Sequence, residues 1–201
     1  MNRYARIAAH AAWLLFVASA AIFGAILPAQ HDGFSHLTHP LAWLGARSVP
    51  GAIGFNLCGF VLPGVLAAFA LWSIRGAMPK NTPWAMRIGV QLAVLSALAF
   101  AAQGLLPLDL NDPNGGAHTL AWTLWWLSFI PGAALFAWGL RRTPARAGVV
   151  SLSAIAALAL PLMIFAAPLV VPIAVAQRAA FLIWFAWVAW MTTRTGVVLQ
   201  K

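Results

Sequence analysis

Charged residues are scarce in this sequence, and acidic residues are almost missing. Only 7% of its 201 residues are charged, and the three acidic side chains are all aspartates. Soluble domains carry roughly a quarter charged residues, so this chain has too little charge for a surface that faces water. Its hydrophobic content is 63% and its mean hydropathy is +0.87. We therefore predict that lipid is the solvent of this protein.

Cysteine is also nearly absent, and the single residue, Cys58, excludes a disulfide within the chain. Because Cys58 lies inside an apolar run, it gives no information about the redox compartment. The net charge is +9, which in a soluble protein would indicate nucleic-acid binding. Here the basic residues flank apolar runs. This arrangement favours membrane topology, and we expect no nucleic-acid partner.

Six long apolar runs dominate what remains. Each has about 20 residues, the length that a helix needs to cross roughly 30 Å of hydrocarbon. A helix also satisfies its own backbone in lipid. We predict an all-α, polytopic membrane helix bundle, folded as one domain over residues 1–201. Its six transmembrane helices are expected at residues 7–27, 52–72, 86–106, 119–140, 147–169 and 171–191. A tight turn at Pro168–Pro172 separates the last two.

The distribution of basic residues predicts the orientation. Segments on one side of the membrane hold ten basic residues and segments on the other side hold two, a strong positive-inside signal. Both termini are then cytoplasmic, with the first run as an uncleaved helix in a bacterial inner membrane. The ten are Arg3, Arg6, Arg75, Lys80, Arg87, Arg141, Arg142, Arg146, Arg194 and Lys201. The two outer ones are Arg47 and Arg178.

Residues 31–40 form the densest group of chemically active side chains. They contain three of the five histidines and one of the three acids, namely His31, His36, His39 and Asp32. Imidazole and carboxylate groups bind zinc or another divalent metal, and they also form general-base pairs. An outer loop that merely uses histidine as a polar residue is the other interpretation. Pro40 is expected to start a short helix over residues 40–47, with His39 near its N-cap.

A second group lies near the third and fourth helices. Asp109 sits between two leucines at the membrane surface, where a carboxylate needs a partner, and His118 opens the fourth helix in the same layer. A structural hydrogen bond between them and a metal or acid–base role are both open. Arg178, near the outer end of the last helix, is expected to pair with Asp109 or Asp32, or to bind lipid phosphate. Asn56 and Gln103 are candidate ligand-binding residues in this layer.

A short repeat relates the second and fourth helices. Residues 60–64 read Phe-Val-Leu-Pro-Gly, and residues 129–132 read Phe-Ile-Pro-Gly. Each proline removes a backbone hydrogen bond and bends its helix. Two bent helices are expected to open a cavity beneath the outer loops. Whether the repeat reflects a duplication or chance stays open.

Several of these positions together resemble a known family. Ser35-x-x-x-His39-Pro40, Leu44-Gly45, Asn56, Pro107-x-Asp109, His118 and Gln177-Arg178 look like the DUF998 group of six-helix bacterial and archaeal membrane proteins. The resemblance covers most of the chain and implies a fold and a set of positions, with no reaction. The constellation is more distantly similar to seven-helix ceramidase-like hydrolases, which use three histidines, an aspartate and a serine around zinc.

Two functions follow as hypotheses, and they differ on whether the chain is an enzyme. In the first, a polar site pins the helices together and binds membrane lipid or a small ligand. In the second, a metal-dependent hydrolase acts at the outer leaflet, with His36, His39 and His118 as metal ligands. Asp109 would be a further ligand or the base. The candidate catalytic residues are Asp109, His118 and Ser35, although Ser35 has no nucleophile-elbow context. A pH sensor based on the outer histidines is a third hypothesis.

Overall fold

The computed structural model describes residues 3–27, 33–112, 116–141 and 147–198, with side chains up to residue 194. His31 and Asp32 therefore lie outside the described residues. The described part is helical and contains no strand, and six of its helices are long and apolar enough to cross a membrane. These are α1 Arg3–Ile26, α2 Ala52–Gly76, α3 Trp84–Leu105, α4 Gly116–Leu140, α5 Ala147–Leu169 and α6 Ile173–Val198. The predicted all-α class and six-helix count are confirmed.

The helices close into a ring. Each helix contacts its neighbours along the chain, and α6 also contacts α1 and α2. Arg47 N–H donates to Leu108 O over 3.0 Å, and Leu41 N–H donates to the Gln177 side chain over 3.3 Å. The segment before α2, the segment after α3 and the first turns of α6 therefore meet at one end of the bundle. We call it the outer end, after the orientation that the basic residues predict, and we call the opposite end the inner end.

Aromatic rings fill the interior of the ring of helices. The buried ring of Phe100 on α3 stacks on Trp184 of α6 with centroids 5.0 Å apart, and it meets Phe181 edge to face at 5.2 Å. Phe60, next to the proline of α2, lies 5.4 Å from Phe100. Aromatic side chains therefore pack against the bent part of α2. The cavity expected beneath the outer loops stays a prediction.

The prolines explain the local irregularities of α2 and α5. In α2 a π-helical segment, Asn56–Val61, precedes Pro63, and in α5 Pro161 is followed by a π-helical segment, Leu162–Ala166. A wider turn accommodates a ring that would crowd the preceding turn of an α-helix. A 3-10 turn, Ala167–Leu169, then ends α5. The break predicted at Pro168–Pro172 is confirmed.

Close backbone contact joins α3 to α4. A Cβ added to Gly89 would lie 2.6 Å from the carbonyl oxygen of Gly132 and 2.7 Å from the backbone nitrogen of Phe136. Only glycine permits this approach, as is common where membrane helices cross. Gly64, the counterpart of Gly132 in the short repeat, instead lies against Ala101. The two repeat glycines thus contact α3 at positions 12 residues apart.

The helix bounds differ from the predicted ones by up to four residues at the starts and by up to seven at the ends. α1 begins at Arg3, and α4 begins at Gly116, which places His118 within its first turn. α6 begins at Ile173 and continues to Val198. The short helix expected over residues 40–47 is a 3-10 helix, Leu41–Gly45, directly after Pro40.

Candidate functional site at the outer end

The described residues between α1 and α2 that we call the first outer segment are residues 33–47. Ser35 shapes this segment through its backbone carbonyl and its hydroxyl. Its carbonyl oxygen accepts hydrogen bonds from the backbone N–H groups of Thr38 and His39, at 3.3 and 2.9 Å. Its Oγ accepts one from the N–H of Leu37 at 3.2 Å, which is a turn typical of serine. The candidate catalytic hydroxyl is thus engaged in holding the turn.

His39 is tied into the same turn. Its Nδ1 accepts the backbone N–H of Ser35 at 3.0 Å and lies 3.1 Å from the Thr38 hydroxyl. Because Nδ1 accepts, the neutral ring carries its proton on Nε2. The ring packs on Trp43, with centroids 4.1 Å apart, and lies nearly parallel to Phe34 at 6.0 Å. The His39 ring therefore lies between the side chains of Phe34 and Trp43.

Arg178 joins this segment to the start of α6. Its Nη1 and Nη2 each donate to the carbonyl oxygen of His39 at 3.1 Å, and Nη1 also donates to Ala174 O at 2.7 Å. Its Nη2 lies 3.3 Å from Nδ1 of His36. The expected ion pair with Asp109 is not formed, because backbone oxygens take its place. The alternative partner, Asp32, lies outside the described residues.

His36 lies between Arg178 and α1. Its ring sits directly against Gly24, where any Cβ would clash with Nε2. Burial, and secondarily the charge of Arg178, lower the pKa of His36 below its usual 6.5. The neutral imidazole can accept the Arg178 hydrogen bond at Nδ1, whereas the protonated ring would oppose it. Nδ1 of His36 therefore accepts from Arg178 only while the imidazole is neutral.

His118 caps the end of α3. Its Nδ1 lies 2.9 Å from Leu106 O and 3.2 Å from Gln103 O, so this nitrogen carries a proton and donates to the carbonyls. The last carbonyl groups of a helix have no partner within it, and His118 satisfies one of them, Gln103 O, together with the carbonyl of the C-cap residue Leu106. Its Nε2 keeps a lone pair. The hydrogen bond to Asp109 that the sequence left open is not formed.

Asp109 serves its own turn. Its Oδ1 accepts the backbone N–H of Asn111 at 2.9 Å and the Asn111 side chain at 3.3 Å. Such a bond two residues ahead is the usual role of aspartate in a turn. The carboxylate between the two leucines is thus satisfied locally.

Asn56 connects α2 to the 3-10 helix. Its buried Nδ2 donates to Gly45 O at 2.9 Å, and its Oδ1 occupies the place that a Cβ on residue 45 would need. Asn56 therefore positions the first outer segment through Gly45.

Gln103 differs from the other candidates because part of it has no partner. The residue is 1% exposed, and its Nε2 forms no hydrogen bond with any described residue. Deeper in the bundle, the buried indole N–H groups of Trp125 and Trp184 and the hydroxyl of Ser96 are also unpartnered within the described part of the chain. These three are not among the candidate site residues that the sequence indicated, because tryptophan and serine in apolar runs usually pack against helices.

The predicted metal ligands are distributed over two groups. His36 and His39 lie with Arg178, whereas His118 and Asp109 lie at the end of α3 and the start of α4. Over residues 3–27, 33–112, 116–141 and 147–198, no three His, Cys, Asp or Glu side chains lie together in a way that could hold a metal ion. The donor set expected for zinc or another divalent ion is therefore not assembled in the described residues.

A comparison of the chain with protein-family models, curated proteins and solved structures finds no match.

Proposed function

We propose that this chain is a multi-pass membrane protein that binds a membrane lipid or small ligand at its outer end and performs no catalysis there. Six helices with the length and apolarity of membrane spans support the assignment as a multi-pass membrane protein. The observation that carries the proposed ligand binding is the buried amide of Gln103, whose Nε2 has no described partner. A ligand with an acceptor oxygen, such as a carbonyl or phosphate, supplies what this amide lacks.

The energetic reason is the cost of a buried, unpaired donor. Such a group costs about 1–3 kcal/mol, and native proteins rarely retain one without a bound partner or an ordered water. Gln103 lies beside His118, whose Nδ1 is already engaged and whose Nε2 remains an acceptor. Trp125 lies two helical turns from His118 along α4 and has an unpartnered indole N–H. These donors and the acceptor form the polar part of the proposed site.

The other candidate residues support the site without contacting a ligand. Arg178 has two backbone carbonyls and His36 as its partners. Ser35 and Asp109 hold turns. Their hydrogen bonds give the outer segments one conformation over the helix ends. In this proposal their role is positioning.

Replacement of Gln103 tests the proposal. The purified protein is exposed to a total membrane-lipid extract, and bound masses are read by native mass spectrometry. Wild type is expected to retain one bound species that Gln103→Met loses, while lipid-free Gln103→Met unfolds at equal or higher free energy because the orphan donor is gone. Gln91→Met is the matched control, since Gln91 is an exposed glutamine of the same helix. Equal retention by Gln103→Met would contradict the proposal.

The alternative of a metal-dependent hydrolase needs His36, His39 and His118 around one ion. No contact among the described residues favours it, and His118 belongs to the other group. Metal analysis of purified wild type and His39→Ala separates the two functions. We expect no stoichiometric metal in either protein. A stoichiometric metal that His39→Ala loses would restore the hydrolase.

The orientation and the family are proposed on the sequence alone. We propose a bacterial inner-membrane location with the outer end extracytoplasmic, supported by the ten basic residues on the other side. The resemblance to the DUF998 proteins rests on the same short motifs as before. The exposed Thr38 offers a topology test in a Cys58→Ala background. Thr38→Cys is expected to react with a membrane-impermeant maleimide added outside the cell, and labelling only after permeabilisation would reverse the orientation.

A further inference from the structure

A groove at the inner end is separate from the outer site. It runs between α1 and α6, has a volume of about 430 Å³, and is lined mainly by apolar side chains such as Trp13, Leu182 and Phe185. His10 and Thr193 lie at its inner limit and are shared with a second, more open space of about 590 Å³. Arg3 and Arg6 line that second space. An apolar channel therefore leads to a basic opening.

No acidic side chain among the described residues lines the basic opening. The described acids, Asp109 and Asp112, follow α3 at the outer end of the bundle. Arg6 is exposed, and its guanidinium forms no hydrogen bond or ion pair with any described residue. Arg3 donates to the hydroxyl of Tyr4 at 3.1 Å. Arg194 lies over the ring of Trp190, which lines the groove, at 4.8 Å. Among the described residues no acid offsets this positive charge, which can therefore attract an anion.

His10 connects the apolar and basic parts. Its Nδ1 lies 2.8 Å from the carbonyl oxygen of Arg6, so this nitrogen carries a proton and donates. Its Nε2 remains for a further partner. The residue lines both spaces. A polar group with both donors and acceptors, such as a glycerol phosphate, would find complementary partners at this junction.

We propose that the groove binds one anionic phospholipid, with its phosphate at Arg3 and Arg6 and one acyl chain between α1 and α6. The apolar volume lies within the range of about 300–1,000 Å³ that is usual for ligand sites. Basic pockets between membrane helices commonly take anionic head groups. An acyl chain without a charged head group would leave the arginines unused. A soluble phosphate would leave the apolar walls exposed.

The test compares lipids and charge-matched variants. Delipidated protein in neutral detergent is titrated with phosphatidylglycerol or phosphatidylcholine, and bound lipid is counted by native mass spectrometry. Wild type is expected to bind one phosphatidylglycerol saturably and to prefer it to phosphatidylcholine. Arg3→Gln/Arg6→Gln is expected to weaken phosphatidylglycerol binding about 5-fold for each arginine. Lys80→Gln/Arg141→Gln removes equal charge from the same end and should leave this binding unchanged.

Two further measurements test the acyl-chain groove and the head-group site separately. Ala186→Phe narrows the groove at an exposed position and should reduce phosphatidylglycerol binding with both arginines intact. Glycerol phosphate alone should not compete with the lipid. Equal weakening by both charge variants, or equal binding of the two lipids, would overturn the proposal. Gln103→Met should retain this lipid, which distinguishes the groove from the outer site.

Discussion

Both terminal nitrogens of Arg178 hold the carbonyl oxygen of His39, a residue 139 positions earlier in the chain, at 3.1 Å. The contact fastens the segment between the first two helices to the start of the last one. A guanidinium suits it because its planar fork can reach one acceptor with two N–H groups. It also explains how an arginine at the edge of an apolar bundle is accommodated with no acidic partner among the described residues.

Replacement of Arg178 should loosen the first outer segment. Arg178→Gln removes charge-assisted hydrogen bonds that are each worth about 1.5–3 kcal/mol, so we expect a loss of at least that size in the free energy of unfolding. Hydrogen exchange should accelerate at the backbone N–H groups of Ser35 and Leu41. Arg194→Gln, on the exposed side of the same helix, is the control. Unchanged exchange in Arg178→Gln would refute the fastening role.

Acid should weaken the same contact through His36. Because its folded pKa is lowered, the unfolded chain binds the proton first, so the stabilisation is complete above about pH 6.5 and declines as the pH falls below that value. We expect the free energy of unfolding to decrease between about pH 7.5 and pH 5. His36→Gln keeps an acceptor without titrating and should flatten this dependence. A slope unchanged in His36→Gln would exclude His36 as its source.

Gly45 and Asn56 should be energetically coupled. Gly45→Ala places a methyl group where the Asn56 carbonyl oxygen lies, and Asn56→Ala removes the hydrogen bond to Gly45. Each single variant should lose about 1–3 kcal/mol. The double variant should lose less than the sum, because the smaller residue 56 makes room for the methyl group. Strict additivity in this cycle, measured by unfolding in micelles, would contradict the contact.

The α3–α4 crossing should not tolerate a methyl group. Gly89→Ala would bring a Cβ within 2.6 Å of the Gly132 carbonyl oxygen, so the helices must separate. We expect a loss of about 1–3 kcal/mol in the free energy of unfolding, as for other overpacked interiors. Gly148→Ala is the control, because a Cβ there meets nothing within 4 Å. In a helix that change should be neutral or stabilising, by up to about 1 kcal/mol. Equal effects of the two variants would disprove the close crossing.

The fold was predictable because lipid imposes a length and a backbone rule on every span. The turn at Pro168–Pro172 was predictable for a similar reason, since proline restricts its own backbone and that of the residue before it. The hydrogen-bond partners of Arg178 were not predictable from the sequence. Charge alone indicates Asp109 or Asp32, whereas the described bonds are made to the carbonyl oxygens of His39 and Ala174. No residue type marks a carbonyl that is free to accept. The unpartnered amide of Gln103 likewise depends on packing between helices that are distant in sequence.

The closure of the ring by α6 has a consequence for synthesis. Residues 33–47 are synthesised well before Arg178. They can form their contacts with the last helix only after that helix has been made. Until then His39 O and Leu41 N–H lack the partners that α6 provides. A chain that stops after α5 would have five spans, and its first outer segment would lack the contacts with α6.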